Sequence, residues 1–148
     1  MMKPCTSIFR SSVCVAAVLI AAGAVLHGTV AQASDQLSGI WKGSYRCGQG
    51  ETAVTVSLSV EDGGAAHGTF TFGNLPGHSN VKPGKYLIEG RYDERGDSLQ
   101  MRPAGWIEKP PGYTQVGFAV AYERAAQRLT GRIQFDSCST ITLEKTSN

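Results

Sequence analysis

Apolar and polar residues alternate with a period of two through most of the chain after residue 33. The alternating apolar positions include Val54, Val56, Leu58, Val60, Phe70, Phe72, Tyr86, Ile88, Tyr92, Leu129, Ile133 and Phe135. This period places one set of side chains on a buried face and the other in water, which is typical of antiparallel sheets. Residues 123–127 fit a helical turn, but no segment after residue 33 sustains a 3.6-residue period. The pattern therefore predicts an all-β domain.

Turn signals divide this region into eight predicted strands. They span residues 39–47, 52–60, 66–72, 85–92, 98–102, 116–122, 128–135 and 138–145. Two predicted connections are long, at 73–84 and 103–115, and the others are short. Short connections favour an up-and-down meander, and eight strands can close into a small antiparallel barrel without free edges. A two-sheet β-sandwich is the structural alternative.

The first 33 residues have the features of a cleavable secretory signal. Lys3 and Arg10 precede or flank an uncharged apolar run over residues 13–26, and Ala31-Gln32-Ala33 predicts cleavage before Ser34. That run has 14 residues, whereas a membrane-spanning helix needs about 20, so we expect no stable membrane insertion after cleavage. The predicted products are a signal peptide, 1–33, and a single domain, 34–148, located in the periplasm or outside the cell.

The remaining cysteines agree with export. Only Cys47 and Cys138 follow the predicted signal, and a pair in an oxidising compartment is expected to form a disulfide. In an up-and-down barrel, the end of the first strand lies beside the start of the last, so this bridge would cross the closing seam. Cys47 has the parity of inward Trp41 and Tyr45, whereas Cys138 has the parity of outward Thr140. A β-bulge at the strand end could reconcile the two parities.

Charge and ligand spacing exclude several classes of partner. The chain has 14 Lys+Arg and 12 Asp+Glu. Two of the basic residues, Lys3 and Arg10, lie in the signal and all the acidic residues follow it, so the domain is formally neutral and nucleic-acid binding is not expected. His67 and His78 share no metal-ligand spacing with the cysteines. We therefore expect no metal and no cofactor.

Gly39-Ile40-Trp41, near the start of the first predicted strand, resembles the Gly-x-Trp signature of the calycin barrels, which include lipocalins and avidins. In that family the tryptophan packs at the closed end of the barrel. The resemblance therefore implies a structural role for Trp41. The tryptophan cage of a biotin site does not carry over, because Trp41 and Trp106 are the only tryptophans in the sequence.

A longer pattern is similar to a group of small exported bacterial domains whose function is not settled. It runs Trp41-x-Gly43-x-Tyr45-x-Cys47-x-Gln49-Gly50, Gly90-x-Tyr92-Asp93, Trp106-Ile107-x-x-Pro110-x-Gly112-Tyr113 and Cys138. This similarity spans most of the chain after residue 33. It implies a shared fold and no particular activity.

The candidate binding residues lie in the two long predicted loops. Alternating strand directions would gather loops 73–84 and 103–115 at the disulfide end of the barrel, and long loops on a rigid scaffold are common binding sites. Trp106 and Tyr113 are candidate aromatic anchors. The alternative is that Trp106 and Ile107 pack down into the barrel mouth. The candidate polar contacts are His78, Asn80 and Gln115.

These features favour an exported, non-catalytic binding module whose ligand meets the rim formed by loops 73–84 and 103–115. The sequence contains no nucleophile elbow, phosphate-binding glycine loop or His-Glu-x-x-His motif, so we do not expect an enzyme. The expected partner is a small molecule, an envelope glycan or a protein. One alternative is a secreted inhibitor of a hydrolase, such as a lysozyme or protease, that inserts loop 103–115. The other is a structural or assembly module of the cell envelope.

Overall fold

The computed structural model describes residues 30–78 and 80–147, which form a closed antiparallel barrel of eight strands with little helix. The predicted signal sequence up to residue 29 lies outside the described residues. The elements are α1 (Val30–Leu37), β1 (Gly39–Cys47), β2 (Gly50–Val60), β3 (Ala65–Gly73), β4 (Gly84–Asp93), β5 (Ser98–Glu108), β6 (Gly117–Glu123), a 3-10 turn (Arg124–Ala126), β7 (Arg128–Gln134) and β8 (Thr140–Ser147). Within these described ranges, no helix has the length and apolar character needed to cross a membrane.

Each strand pairs with its neighbours in the sequence, and β1 pairs with β8 to close the barrel. The prediction of an up-and-down barrel is therefore confirmed, and the sandwich alternative is wrong. The short helical turn at 123–127 is also confirmed, as the 3-10 turn that links β6 and β7. Closure gives the backbone groups of the first and last strands hydrogen-bonding partners, which an open sheet would leave at its edges.

The predicted disulfide between Cys47 and Cys138 is present at the β1–β8 seam. Cys138 lies in the turn before β8, not within the strand as predicted, so strand parity does not constrain its side chain. No bulge is needed beside the bridge for this reason. The register shift in the β1–β8 pairing lies at the other end of β1, between Ile40 and Trp41. The seam continues past the strands because the Ser139 backbone N–H donates to the Arg46 carbonyl at 2.8 Å.

Inward-facing apolar side chains fill the barrel. The buried members include Val54, Val56, Leu58, Phe70, Tyr86, Ile88, Phe118, Leu129, Ile133, Ile141 and Leu143. Glycines interrupt this set where neighbouring strands approach closely. A Cβ atom added at Gly43 would overlap the carbonyl oxygen of Thr142, and one at Gly90 would overlap that of Gln100. Glycine at these positions lets neighbouring backbones approach closely enough for so small a barrel to close.

Trp41 anchors the end of the barrel that is covered by α1 and the turns 61–64, 94–97 and 124–127, which we call the closed end. Its ring is fully buried, and its Nε1–H donates to the Leu37 carbonyl of α1 at 2.8 Å. Tyr122 packs edge-on against the same ring, and the Lys145 ammonium lies 5.9 Å from its centroid. These contacts join α1, β1, β6 and β8 into one structural plug.

The opposite end, which we call the open end, carries the disulfide and the connections 48–49, 74–83, 109–116 and 135–139. This is the grouping that alternating strand directions predict. One prediction about it is wrong: residues 103–108 belong to β5 and not to a loop. The pairing of β5 with β4 continues to Glu108 through two register shifts, which leave Ala104 and Ile107 without a partner in β4. Along its other edge, β5 pairs with β6 only from Ser98 to Met101.

Candidate functional site

A cavity of about 380 Å³ opens at the mouth of the barrel. Its lining comes from β1, β3, β4 and the connecting segments 48–49, 109–116 and 135–139, and it contains no charged side chain. The lining residues are Tyr45, Cys47, Gln49, Phe72, Tyr86, Gly112, Tyr113, Thr114, Val116, Phe135, Ser137 and Cys138. The volume lies within the range of small-molecule sites in proteins, about 300–1,000 Å³.

Aromatic rings form one wall of this cavity. The Phe72 ring stacks on Tyr113 at 5.5 Å between centroids, and Trp106 packs edge-on against Tyr86 at 5.4 Å. The Trp106 ring also packs against the Phe72 ring, with 6.3 Å between their centroids. Trp106 is outside the lining, so it supports the aromatic wall on the side away from the cavity. Offset and edge-on arrangements of this kind stabilise aromatic clusters beyond the area they bury.

The hydroxyl of Tyr86 ties this wall to the segment that precedes β6. It donates to the Val116 carbonyl at 2.9 Å and accepts from the Val116 N–H at 3.4 Å. Burial raises the pKa of Tyr86 well above its usual range, although the hydrogen bond with Val116 partly offsets this effect. At neutral pH the hydroxyl is therefore protonated, and its bonding capacity is largely used by the protein.

Tyr45 is a polar residue of the lining, and Thr52 lies close to it in the barrel interior. Burial likewise raises the pKa of Tyr45, while a hydrogen bond with Thr52 opposes the shift. Thr52 is fully buried, and its hydroxyl accepts from the Gln49 amide at 3.3 Å. Tyr45 is thus a neutral group in the lining of the cavity.

Tyr113 links the two long connections across the rim. Pro110 is buried, and the Tyr113 N–H donates to the Pro110 carbonyl at 3.4 Å across a turn in which Gly112 has a φ of 82°. Proline followed by a left-handed glycine is the signature of a type II turn. The Lys82 N–H of connection 74–83 then donates to the Tyr113 hydroxyl at 3.0 Å. The ring is therefore held over the mouth from two sides.

The predicted contact residues are only partly brought together. Tyr113 lines the cavity, and Asn80 lies at its edge, where its amide donates to the Gln49 carbonyl at 3.1 Å. Trp106 is partly buried behind Phe72, which agrees with the alternative prediction of packing at the mouth, whereas Ile107 is about half exposed. His78 is exposed and does not line the cavity.

Gln115 also lies outside the lining, although its neighbours Thr114 and Val116 belong to it. Its amide Nε2 is buried and has no hydrogen-bond partner among the described residues.

Phe135 is the main cavity residue that the sequence placed wrongly. Its alternation with Ile133 predicts an inward core position, but β7 ends at Gln134 and Phe135 turns outward onto the rim. Nearly half of its surface, 47%, is exposed. The Asp136-Ser137 turn signal directly after it is the feature that marks the end of the strand.

The lining residues of this cavity include no histidine and no carboxylate side chain. Among the described side chains, no cluster of three or more His, Cys, Asp and Glu is placed to hold a metal ion. The two cysteines in the lining are bonded to each other, so neither is a thiolate. Both buried tyrosines are protonated at neutral pH, so the lining residues present no ionised side chain to the cavity.

A scan against protein-family models matched none of them, and a search of curated protein sequences found no match to this chain.

Proposed function

We propose that this protein is an exported, non-catalytic binding module that holds a small, uncharged and largely apolar ring compound in the open-end cavity. The observation that carries the proposal is the composition of the lining, which combines several aromatic rings with no charged side chain. The disulfide and the predicted signal sequence support a location in the periplasm or outside the cell.

The hydrogen bonds already made inside the protein by groups near the cavity support an apolar ligand. The hydroxyl of Tyr86 already has partners within the protein, in the carbonyl and N–H of Val116. A polar group brought to the floor would lose water without gaining an equivalent bond, which is costly. Polar side chains that could receive such a group lie at the rim, as Gln49, Thr114 and Ser137 do. The expected orientation is a ring inside and a polar substituent at the mouth.

The absence of charge in the lining supports an uncharged ligand. Transfer of an ionised group into this cavity would be opposed by desolvation and rewarded by no counter-ion among the lining residues. The rings of Tyr113 and Phe135 stand at the rim, where large amphipathic side chains bind partners with little loss of conformational entropy.

The test uses two probes with a similar aromatic skeleton and different charge. N-phenyl-1-naphthylamine is neutral, and 8-anilino-1-naphthalenesulfonate carries a sulfonate. Fluorescence titration of the mature protein should show saturable 1:1 binding of the neutral probe and at least tenfold weaker binding of the anionic one. Tyr113→Ala and Phe135→Ala should each weaken binding of the neutral probe by about five- to thirtyfold, which corresponds to about 1–2 kcal/mol in binding free energy.

Leu87→Ala is the matched control, because Leu87 is 45% exposed on the outer wall, similar to Phe135. It should leave binding unchanged. Equal affinity for both probes, or equal loss in all three variants, would show that the dyes bind a generic apolar surface and would contradict the proposal.

The hydrolase-inhibitor alternative depended on a free loop at 103–115. Residues 103–108 form part of β5, and Tyr113 is bonded to Lys82, which leaves a shorter and tethered segment for insertion. We therefore favour the binding module over the inhibitor. The assembly alternative has its own measurement, since sizing chromatography of the mature chain reports the oligomeric state directly.

A further inference from the structure

A second, smaller cavity of about 280 Å³ lies at the closed end of the barrel. It is formed by the β2–β3 turn, the end of β4 with the turn after it, and Ser34 of α1. Ser34 is 7% exposed, and its hydroxyl donates to Asp62 Oδ1 at 3.4 Å. This contact joins positions 28 residues apart in the sequence.

The junction predicted for signal cleavage lies immediately before this serine. The turn that follows is held by contacts on the C-terminal side of the junction. The Ser34 carbonyl accepts from both the N–H and the hydroxyl of Ser38 at 3.0 Å, and the Ser38 hydroxyl accepts from the Val60 N–H at 3.0 Å. Leu37 is fully buried beneath Trp41. Cleavage would remove the first four residues of α1, and these contacts would remain to hold Ser34 in place.

Removal creates a new charge in this cavity. Hydrolysis of the bond between residues 33 and 34 by a signal peptidase consumes one water, and the new carboxylate leaves with the released peptide. The amino group stays on Ser34 and takes up a proton, since a free α-amino group has a pKa of about 7.7–8.0. In one serine the nitrogen and Oγ are only three covalent bonds apart, so the ammonium forms close to the carboxylate that Oγ already contacts.

We propose that the closed-end cavity is a binding site for the chain's own processed N-terminus, in which the Ser34 ammonium pairs with Asp62. The inference depends on the predicted cleavage position and is independent of the ligand proposed for the open end. Before cleavage the Ser34 nitrogen is an uncharged amide. Processing therefore adds an ion pair that the precursor cannot make.

Several charged groups surround this position. The carboxylates of the cavity lining are Glu61, Asp62, Asp93 and Glu94, and its cations are Arg91 and Arg95. Glu61 is also paired with His67 at 3.6 Å, and Lys145 of β8 is engaged with the Gln36 carbonyl at 2.6 Å. The lining thus has more acidic than basic groups, which favours a cation at Ser34.

The pair has a defined pH dependence. An ammonium that gains a carboxylate partner on folding has a higher pKa in the folded state than in the unfolded chain. Its stabilisation is therefore complete below the unfolded pKa of about 7.7–8.0 and is lost as pH rises through the folded pKa. A chain whose N-terminus is blocked should lack this stabilisation at pH 6.5 and should match the native chain near pH 10.

The experiment begins with the intact mass and N-terminal sequence of the exported protein, for which a start at Ser34 is expected. The pKa of its α-amino group, measured by NMR with ¹⁵N-labelled Ser34, should lie about one unit above the ordinary value. Asp62→Asn should return it to about 8. Ser34→Ala keeps the amine and removes only the hydroxyl, so the raised pKa should persist. Asp93→Asn, in the same cavity, serves as the matched control. It should change the pKa of the α-amino group less than Asp62→Asn does.

Thermal unfolding gives the second measurement. The acetylated mature chain should melt below the free-amine chain at pH 6.5, and the difference should vanish near pH 10 and in the Asp62→Asn background. A start at another residue, an unshifted amine pKa, or a shift that survives Asp62→Asn would each overturn the proposal.

Discussion

Replacing Tyr86 by phenylalanine removes one hydroxyl from the wall of the open-end cavity and leaves the ring in place. That hydroxyl is bonded to both the carbonyl and the N–H of Val116, a residue only 8% exposed. Without it, two buried backbone groups lose their partner, at a cost of about 1–3 kcal/mol in the free energy of unfolding. The loss should be local, because the aromatic contacts of the Tyr86 ring do not use the hydroxyl.

Two measurements separate this local effect from general damage. Urea unfolding should show a lower midpoint with an unchanged slope, because the surface exposed on unfolding is the same. Native-state hydrogen exchange should show faster exchange at the Val116 amide than in the unmodified protein. Tyr122→Phe is the control, since Tyr122 is also buried but packs on Trp41 at the closed end. An unchanged midpoint together with unchanged exchange at Val116 would refute the assigned role of the hydroxyl.

Three further predictions concern the rest of the barrel. Replacing Cys47 and Cys138 together by serine should lower the free energy of unfolding by about 4–5 kcal/mol, since the bridge closes a loop of 91 residues; a loss below about 1 kcal/mol in urea unfolding would contradict this. Trp41→Phe should lower the free energy of unfolding by about 2–4 kcal/mol, because it removes the hydrogen bond from Trp41 Nε1–H to the Leu37 carbonyl. The affinity for the neutral probe should stay unchanged, since this bond lies far from the cavity; calorimetry measures the first effect and fluorescence titration the second. Hydrogen bonds from Arg124 and Tyr92 lower the pKa of Asp97, so its stabilisation holds above about pH 4 and is lost on acidification; in melting curves from pH 6 to 2, Asp97→Asn should lose less stability than the unmodified chain.

Strand number, connectivity and the disulfide could all be predicted because each depends on a pattern that is local in sequence. Alternation of apolar residues marks the strands, and short turns make consecutive strands neighbours. The positions of Cys47 and Cys138 then follow from antiparallel geometry, since one ends β1 and the other precedes β8. These signals agree with one another, which is the condition under which a sequence specifies one fold.

The errors lie where that alternation is interrupted. Pro103, Gly105 and Pro110 are residue types typical of loops, but β5 continues through Pro103 and Gly105. It does so by means of bulges, which interrupt the alternation of inward and outward side chains. Phe135 keeps the alternation and yet leaves the core, because the chain must turn before β8. The composition of the cavity could not be predicted, since its rings come from distant segments that meet only after the barrel closes.

The limited pairing of β5 with β6 separates the stability of the barrel from the shape of its mouth. Beyond Met101 and Phe118, this part of the wall is built from the side chains of segment 109–116 and not from a continuous ladder. Changes in that segment can alter the shape of the mouth while the ladder below and the bridge opposite maintain the scaffold. The segment is therefore a natural place to graft or randomise sequence, so that new specificities could be selected on an unaltered framework.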